Sequence, residues 1–172
     1  KVTETLMDYM LETAVLAFAA ILIASFLGIL FGVLSALNKD SFLDRSLLFT
    51  SVLGVSVPSF YSAIIFSWFF GYVISDLTGL NMTGSLFVYD DLGNGEMVML
   101  SNLILPAITL GIRPISAIMQ LTRSSMLDVM SQDYIRTASA KGLKFRKVVL
   151  KHALKNALNP VVTTISGMFA SL

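Results

Sequence analysis

Three long stretches of this 172-residue chain carry no Asp, Glu, Lys or Arg, and they constrain its fold more than any other feature. They cover residues 13–38, 46–75 and 156–172, with lengths of 26, 30 and 17 residues. A helix needs about 20 mostly apolar residues to cross a bilayer core. Charged residues make up 13% of the chain, about half the share found in a typical soluble domain. The sequence therefore predicts an all-α membrane protein and excludes an ordinary soluble enzyme, a disordered tail and, without any cysteine, a disulfide-stapled secreted domain.

Helical periodicity and chain breakers predict about four spanning helices in a single transmembrane domain, over residues 13–37, 47–74, 102–124 and 153–172. Residues 1–12 place apolar and acidic side chains on opposite faces, which predicts a short interfacial helix. Pro58 is expected to kink or break the second span, and Pro106 and Pro114 are expected to interrupt the third. Gly28 and Gly32 form a small-xxx-small pair, which favours close approach of another helix.

The distribution of basic residues predicts the orientation of these spans. No Lys or Arg lies between residues 46 and 112, whereas nine of the twelve lie between residues 113 and 155. Because basic loops stay in the cytoplasm, the acidic loop over residues 76–101 is predicted to be external. Residues 38–45 and 125–152 are predicted to be cytoplasmic. The net charge of +1 gives no electrostatic reason to expect nucleic acid.

The cytoplasmic segment 125–152 is the most organised part of the chain outside the spans. Its apolar residues recur at helical spacing, and Asp133 is predicted to cap a short helix that ends at Gly142, where glycine suits a left-handed conformation. A stripe of lysines follows and leads into the membrane, at positions 144, 147, 151 and 155. Physical reasoning leaves two interpretations open: a basic surface lying on anionic lipid, and a docking helix for a cytoplasmic partner.

One run within this segment closely resembles the cytoplasmic loop of ABC-importer permeases. The run is Gln132-Asp-Tyr-Ile-Arg-Thr-Ala-Ser-Ala-Lys-Gly-Leu-Lys-Phe-Arg-Lys-Val-Val-Leu-Lys-His-Ala-Leu-Lys-Asn-Ala-Leu-Asn-Pro160. Residues 56–60, 105–111 and 121–127 resemble the same proteins, and the best match is the first-permease branch of the oligopeptide/dipeptide/nickel family. The family's usual Glu-Ala-Ala is replaced here by Arg136-Thr137-Ala138, which is similar to the peptide branch.

The resemblance implies the fold of a type I ABC-importer transmembrane domain, with a cytoplasmic coupling helix that contacts an ATPase subunit. Tyr134, Ile135 and Ala138 are expected to insert as apolar knobs. Arg136, Lys141 and Gly142 are expected to fix the orientation of the helix and its turn. The full set of expected contact residues is Asp133, Tyr134, Ile135, Arg136, Ala138, Lys141, Gly142 and Leu143.

The resemblance also implies the partners and the location of the protein. The expected partners are a second permease subunit, two ATP-binding cassette subunits, an extracytoplasmic substrate-binding protein and the bilayer of a bacterial-type inner membrane. ATP and Mg²⁺ are expected on the partner ATPase subunits, with no cofactor or metal bound by this chain. Because family permeases resemble six-helix proteins, we expect this chain to be a fragment without the first and last membrane helices. Peptide is the favoured cargo, with nickel and sugar as open alternatives.

Four residues are candidates for the translocation path: Pro58, Phe60, Arg113 and Pro114. An arginine near the bilayer midplane costs roughly 2.5–3.5 kcal/mol on insertion scales, so Arg113 is expected to face protein or water. Pairing of Arg113 with a neighbouring helix, or with the carbonyls freed by Pro114, is the alternative role. Phe60 is part of an aromatic segment that serves either a pore wall or a lipid-facing anchor.

Signals for chemistry within the chain are missing from the sequence. No glycine is followed by lysine, so the Gly-Lys-Ser/Thr ending of a nucleotide loop does not occur, and the only histidine is His152. These features predict a permease without catalytic residues. Two other classes were weighed. An ion-coupled secondary transporter needs carboxylates within its spans, and every Asp and Glu lies outside the predicted ones. A lipid-binding anchor or scaffold leaves the prolines without a purpose.

Overall fold

The computed structural model describes the backbone of residues 2–89 and 96–171 and the side chains of residues 9–88 and 97–170. The first element is α1 (Val2–Leu37), followed by α2 (Phe42–Ser56) and α3 (Ser59–Trp68). The expected interfacial helix is not separate: residues 2–12 are the beginning of α1. Its apolar residues continue at the spacing of the span that follows, so nothing in the sequence stops the helix at residue 12.

A break in the second predicted span occurs at its proline. α2 ends at Ser56, and Pro58 precedes the first residue of α3 with φ −58° and ψ 137°. Proline lacks the N–H that would continue the helix, so the predicted break at Pro58 is confirmed. A π-helical turn (Phe69–Val73) and a short helix, α4 (Ser75–Thr78), complete this part of the chain.

The loop predicted over residues 76–101 contains a small antiparallel β-hairpin. Strand β1 (Phe87–Tyr89) pairs with β2 (Glu96–Val98), with Val88 opposite Met97. The loop is anchored to the next helix, since the side-chain amide of Asn102 donates to the Ser85 carbonyl over 2.9 Å and accepts from Asn81 over 3.0 Å. Asp90, Asp91 and the predicted turn at residues 92–95 lie outside the described residues.

The long helix α5 (Ser101–Met130) continues past both of its prolines. The expected interruption at Pro106 and Pro114 is therefore wrong. Proline is tolerated within membrane helices where the freed backbone groups find other partners. Between the two prolines, Thr109 Oγ1 donates to the carbonyls of Leu105 and Pro106 over 3.0 Å. α5 also extends six residues beyond the predicted end of the third span at residue 124.

Three short helical elements and one longer helix carry the chain from α5 to its last described residues. These elements are α6 (Asp133–Ala140), α7 (Phe145–Lys147), a π-helical segment (Val148–Ala153) and α8 (Leu154–Ser171). In the described residues, Tyr9–Leu37 and Ser101–Met130 are long and apolar enough to cross a membrane, and α2 with α3 and its π-turn form a third, bent candidate. α8 is not among these candidates, so the fourth span, predicted at 153–172, stays a prediction.

The chain divides into two compact units. One consists of Lys1–Ile23 and Val57–Ile112, and the other of Ala24–Ser56 and Arg113–Leu172. The second unit contains two groups of buried apolar side chains. One is centred on Ala24, Ile118 and Val161. The other, which we call the α6 cluster, comprises Ala36, Met126, Ile135, Ala138, Val148, Val149, Ala153 and Ala157.

The small-xxx-small pair of α1 contacts α5 within the second unit. A Cβ atom on Gly28 would lie 2.8 Å from Cβ of Ile118, and one on Gly32 would lie 2.6 Å from Cβ of Thr122. Such distances leave no room for a side chain. The glycines therefore allow the two backbones to approach closely, and the partner of the predicted motif is α5 of the same chain.

This contact predicts opposite effects for two Gly→Ala changes in helices. Gly32→Ala should lower the midpoint of thermal unfolding in detergent, because overpacking costs about 1–3 kcal/mol and outweighs the gain in helix propensity. Gly167→Ala in α8 is the matched control, since nothing lies within 4 Å of the added methyl group. It should raise the midpoint, because glycine in a helix costs about 0.5–1 kcal/mol relative to alanine. A midpoint that rises equally in both variants would contradict the close contact.

Candidate functional site

Helix α6 follows α5 after a two-residue bend. Its first residue is Asp133, and the residue before it, Gln132, is extended, with φ −72° and ψ 148°. Asp133 was expected to be the cap and is instead the first helical residue, without a side-chain cap hydrogen bond. A carboxylate in the first turn still interacts favourably with the helix dipole. The helix is eight residues long, and tertiary packing supplies the stability that such a short helix lacks on its own.

One face of α6 is buried against its own chain. Ile135 and Ala138 are 4% and 8% exposed and belong to the α6 cluster. Their spacing of three residues places them on the same side of the helix. Both had been expected to insert into a partner. Since they pack on α1, α5 and the segment before α8 instead, their role as knobs stays a prediction that this burial does not favour.

The remaining side chains of α6 form an exposed face. Tyr134 is 43% exposed, and its hydroxyl accepts a hydrogen bond of 3.0 Å from the side-chain amide of Asn156 in α8. Asp133 and Arg136 form an exposed ion pair with a separation of 3.7 Å. Lys141 is exposed at the end of the helix. This face therefore offers one aromatic ring among charged groups of both signs.

Gly142 reverses the chain after α6 in a left-handed conformation. Its φ is +77°, and a Cβ atom built on it would meet nothing within 4 Å. The predicted left-handed glycine is confirmed. Glycine is needed here for its backbone conformation and not for space, since a side chain would fit but a positive φ is unfavourable for an L residue. The turn leads to Leu143, which packs against the α6 cluster.

The segment after Gly142 is strongly basic on its exposed side. Five basic side chains are exposed: Lys144, Arg146, Lys147, Lys151 and Lys155. The π-helical segment places Val148, Val149 and Ala153 in the core. No Asp or Glu occurs after Asp133. The predicted lysine stripe is therefore an exposed, positively charged segment that follows α6 in the chain.

A buried ion pair, which the sequence did not reveal, links α2 and α5 in the same unit. Asp44 in α2 is 1% exposed, and Arg123 in α5 binds it with two hydrogen bonds of 2.7 Å, from Nε to Oδ1 and from Nη2 to Oδ2. The Ser35 hydroxyl donates to Oδ1, and the Asp40 backbone N–H donates to Oδ2 over 2.9 Å. The carboxylate therefore has four donors, which come from two helices, α1 and α5, and from the turn between α1 and α2.

The reason for missing this pair is its separation of 79 residues along the chain. The sequence places Asp44 in a predicted charged loop and Arg123 at the end of a predicted span. Neither location predicts that the two residues form a pair. The one usable signal was that both fall beside long apolar runs, where an unpaired charge is costly. Gln120 and Ser51 form a second polar contact between the same two helices, over 3.1 Å.

The first unit contains a cleft with a volume of about 350 Å³. Phe60, a predicted residue of the translocation path, lines it together with Ser59 and Thr109. The remaining lining residues are Leu16, Ala63, Ser67, Pro106 and Leu110. The cleft is mostly apolar, with hydroxyl groups as its polar contribution.

The other predicted path residues have different surroundings. Pro58 is exposed at the break before α3. Arg113 is exposed and Pro114 half-buried, and both belong to the second unit. The structure thus puts Phe60 alone of these four into the cleft, and the path roles of all four stay predictions. Within residues 2–89 and 96–171, no group of three or more His, Cys, Asp or Glu side chains is placed to hold a metal ion.

Apolar helices of spanning length define the class as a helical membrane protein. The sequence matches the family described as "Binding-protein-dependent transport system inner membrane component" over residues 28–172, and the chain belongs to that family. Its fold is the transmembrane domain of type I ABC importers, located in the inner membrane. The predicted fold class and location are confirmed.

Several curated relatives are peptide permeases by name. The dipeptide transport system permease protein DppB of Alkalihalophilus pseudofirmus is 36% identical, over 95% of this chain and 53% of the relative. The oligopeptide permease AppB of Bacillus subtilis is 38% identical, over 99% and 52%. The di/tripeptide permease DppB of Pseudomonas aeruginosa is 39% identical, over 93% and 52%. The chain spans about half the length of these relatives.

The buried pair predicts a characteristic order of stabilities. Asp44→Asn should lower the free energy of unfolding by about 3–5 kcal/mol, because it leaves Arg123 partly buried without its counter-charge. The double change Asp44→Leu with Arg123→Met should be less destabilising than either single change, since it removes both charges. Asp133→Asn, which breaks the exposed pair, is the control and should have almost no effect. Chemical denaturation in detergent measures these three variants against the wild type. Equal effects of Asp44→Asn and Asp133→Asn would contradict the burial of the pair.

Proposed function

We propose that this chain is the membrane-embedded part of a permease subunit of an ATP-driven, binding-protein-dependent importer of di- or oligopeptides, and that α6 couples it to a separate ATPase subunit. The family membership carries the first half of the proposal. The relatives' names supply the peptide cargo. The geometry of α6 supports the second half, because a short helix with one face packed on the chain presents its other face in a fixed orientation.

The exposed face of α6 has the chemistry of a docking surface. The ring of Tyr134 supplies apolar contact area, and aromatic residues are enriched at the centre of protein interfaces. Arg136 and Lys141 supply charge that orients a partner. Lys141 and Gly142 end the helix, so the left-handed turn fixes how far this face extends. The proposed contact consists mainly of Asp133, Tyr134, Arg136, Lys141 and Gly142, with Ile135, Ala138 and Leu143 supporting it from behind.

In this proposal the chain contributes conformational change and no covalent chemistry. ATP and Mg²⁺ bind to two partner ATPase subunits, whose closure displaces α6. A second permease subunit forms the other half of the path, and an external binding protein delivers the peptide. The alternative of an ion-coupled secondary transporter is disfavoured, because the buried carboxylate of Asp44 already accepts hydrogen bonds from four donors. That leaves it no lone pair directed at a coupling cation.

The docking role of α6 predicts a position-specific effect of Gly142→Ala. A left-handed L residue costs about 1–2 kcal/mol, a factor of roughly 5–30 in an equilibrium. If docking requires this turn, affinity for the ATPase subunit should fall by that factor, as measured by titrating purified ATPase onto the full-length permease in nanodiscs. Gly79→Ala is the matched control, because Gly79 also has a positive φ, of +64°, and open space around it.

The outcomes of this titration separate the alternatives. Weaker binding by Gly142→Ala alone supports the proposal, and equal weakening by both variants reduces the effect to general destabilisation. The importer proposal fails if the wild-type permease binds no ATPase subunit and its membrane binding depends on anionic lipid and on Lys144, Lys147 and Lys151. The lipid-binding anchor is then the better interpretation.

The cleft in the first unit is proposed as part of the peptide path. Ala63→Phe would place a ring inside it and should lower peptide uptake by proteoliposomes at least ten-fold, corresponding to about 1.4 kcal/mol, while ATPase binding stays unchanged. Ile64→Phe is the control on the neighbouring residue, which is 61% exposed and does not line the cleft. Equal uptake by the two variants would remove the cleft from the path.

A further inference from the structure

We propose that the buried Asp44–Arg123 pair is a rigid joint, which makes the end of α1, the start of α2, the end of α5 and α6 move as one body when the ATPase subunits displace α6. Asp44 and Arg123 are thus positioning residues for transport. This inference rests on the proposed function. It assigns to two residues without any contact to substrate or nucleotide the role of passing the displacement on to the α1–α2 turn.

The carboxylate of Asp44 is the centre of this joint. Its Oδ1 atom accepts from Arg123 Nε and from the Ser35 hydroxyl, and its Oδ2 atom accepts from Arg123 Nη2 and from the backbone N–H of Asp40. Ser35 is in α1, Asp40 in the turn, and Arg123 in α5. Ser35, Asp40 and Arg123 therefore all bind one planar carboxylate, whose hydrogen-bond directions are fixed.

The turn between α1 and α2 takes its conformation from the same carboxylate. Asp40 has a φ of +64°, which is unusual for a residue other than glycine. Its N–H points at Asp44 Oδ2, and the N–H of Asp44 in turn donates to the Ser41 hydroxyl over 3.2 Å. Strained conformations persist where their surroundings over-determine them. Loss of the Asp44 charge would release the turn as well as α5.

The joint is continuous with the packing that holds α6. Ala36, the residue after Ser35, and Met126, one helical turn after Arg123, both belong to the α6 cluster together with Ile135 and Ala138. On the other side of the joint, Gly32, which lies one helical turn before Ser35 in α1, contacts Thr122 of α5. The ion pair thus lies between two close contacts of α1 with α5, and the second of these contacts includes α6.

Holding helices together with a buried charged pair costs desolvation free energy. We therefore infer that the directionality of its hydrogen bonds has a role. Well-packed apolar residues often stabilise a protein as much as a buried ion pair does. An apolar seam, however, permits small sliding of packed helices. A bidentate pair with two further donors loses hydrogen bonds on any such shift. The structure therefore favours a joint that fixes the register of α1, α2 and α5 while α6 is pushed and pulled.

A distance measurement in the wild-type complex tests the rigid body directly. Spin labels would be attached at Lys39 in the turn and at Ala140 at the end of α6, both exposed, in a full-length cysteine-free permease with its ATPase subunits. This chain itself contains no cysteine that would need removal. The distance between the labels should be the same in the nucleotide-free and the ATP-trapped complex. In Asp44→Asn, the distribution should broaden or shift between the two states.

Transport efficiency provides the functional readout. The number of peptides moved per ATP hydrolysed should fall by about 2- to 30-fold in Asp44→Asn, with ATPase binding retained. Arg123→Lys keeps the charge but loses the bidentate geometry, and it should give an intermediate ratio. Val161→Ala in α8 is the matched control: it creates a cavity in the other buried group, centred on Ala24, Ile118 and Val161, and not in the α6 cluster. It should leave the ratio near the wild-type value after correction for assembled complex.

Each outcome decides the inference. A wild-type distance that changes between the two states overturns it, even if Asp44→Asn fails to assemble. A wild-type ratio in assembled Asp44→Asn or Arg123→Lys also overturns it, as does an equal fall in Val161→Ala, which reduces the effect to loss of stability. Failure of the proposed function is distinguishable, because the wild-type complex would then show no ATP-dependent peptide uptake at all.

Discussion

The hydrogen-bonded ion pair of Asp44 and Arg123 is the interaction on which the second unit of this chain depends. An aspartate that is 1% exposed is tolerated because four donors replace its lost hydration. Those donors come from α1, the α1–α2 turn and α5, so the same requirement that makes the charge tolerable also fixes three segments to one another. The close glycine contacts of α1 with α5, and the apolar cluster under α6, are arranged on either side of this pair.

This arrangement gives α6 the properties that a coupling helix needs. A helix of eight residues has little stability alone, and here two buried side chains and a tyrosine–asparagine hydrogen bond hold it to longer helices. Its exposed face carries the residues proposed to meet a partner. The basic segment after Gly142 follows this helix in the chain. The two interpretations of this segment, lipid contact and partner docking, predict different dependence on the left-handed turn, which is why the two positive-φ glycines form the decisive comparison.

Several features could be predicted from the sequence because they depend on local physical chemistry. The apolar stretches predicted a helical membrane protein, and the family comparison confirmed it. Pro58 predicted a helix break because proline lacks an N–H, and Gly142 predicted a left-handed turn because glycine lacks a Cβ atom. Pro106 and Pro114 gave a wrong expectation, since each proline removes a single helix hydrogen bond, and a membrane helix continues where its surroundings satisfy the freed carbonyl.

The tertiary structure decided what depends on residues far apart in the chain. The sequence showed that Gly28 and Gly32 permit a close contact, but packing selected α5 as the partner. Periodicity showed an apolar face on α6, but only the fold revealed that Ile135 and Ala138 pack against their own chain. Asp44 and Arg123 are 79 residues apart, and each is ordinary where it stands. Their pairing exists because three helices meet at one point, and no property of a single segment specifies such a meeting.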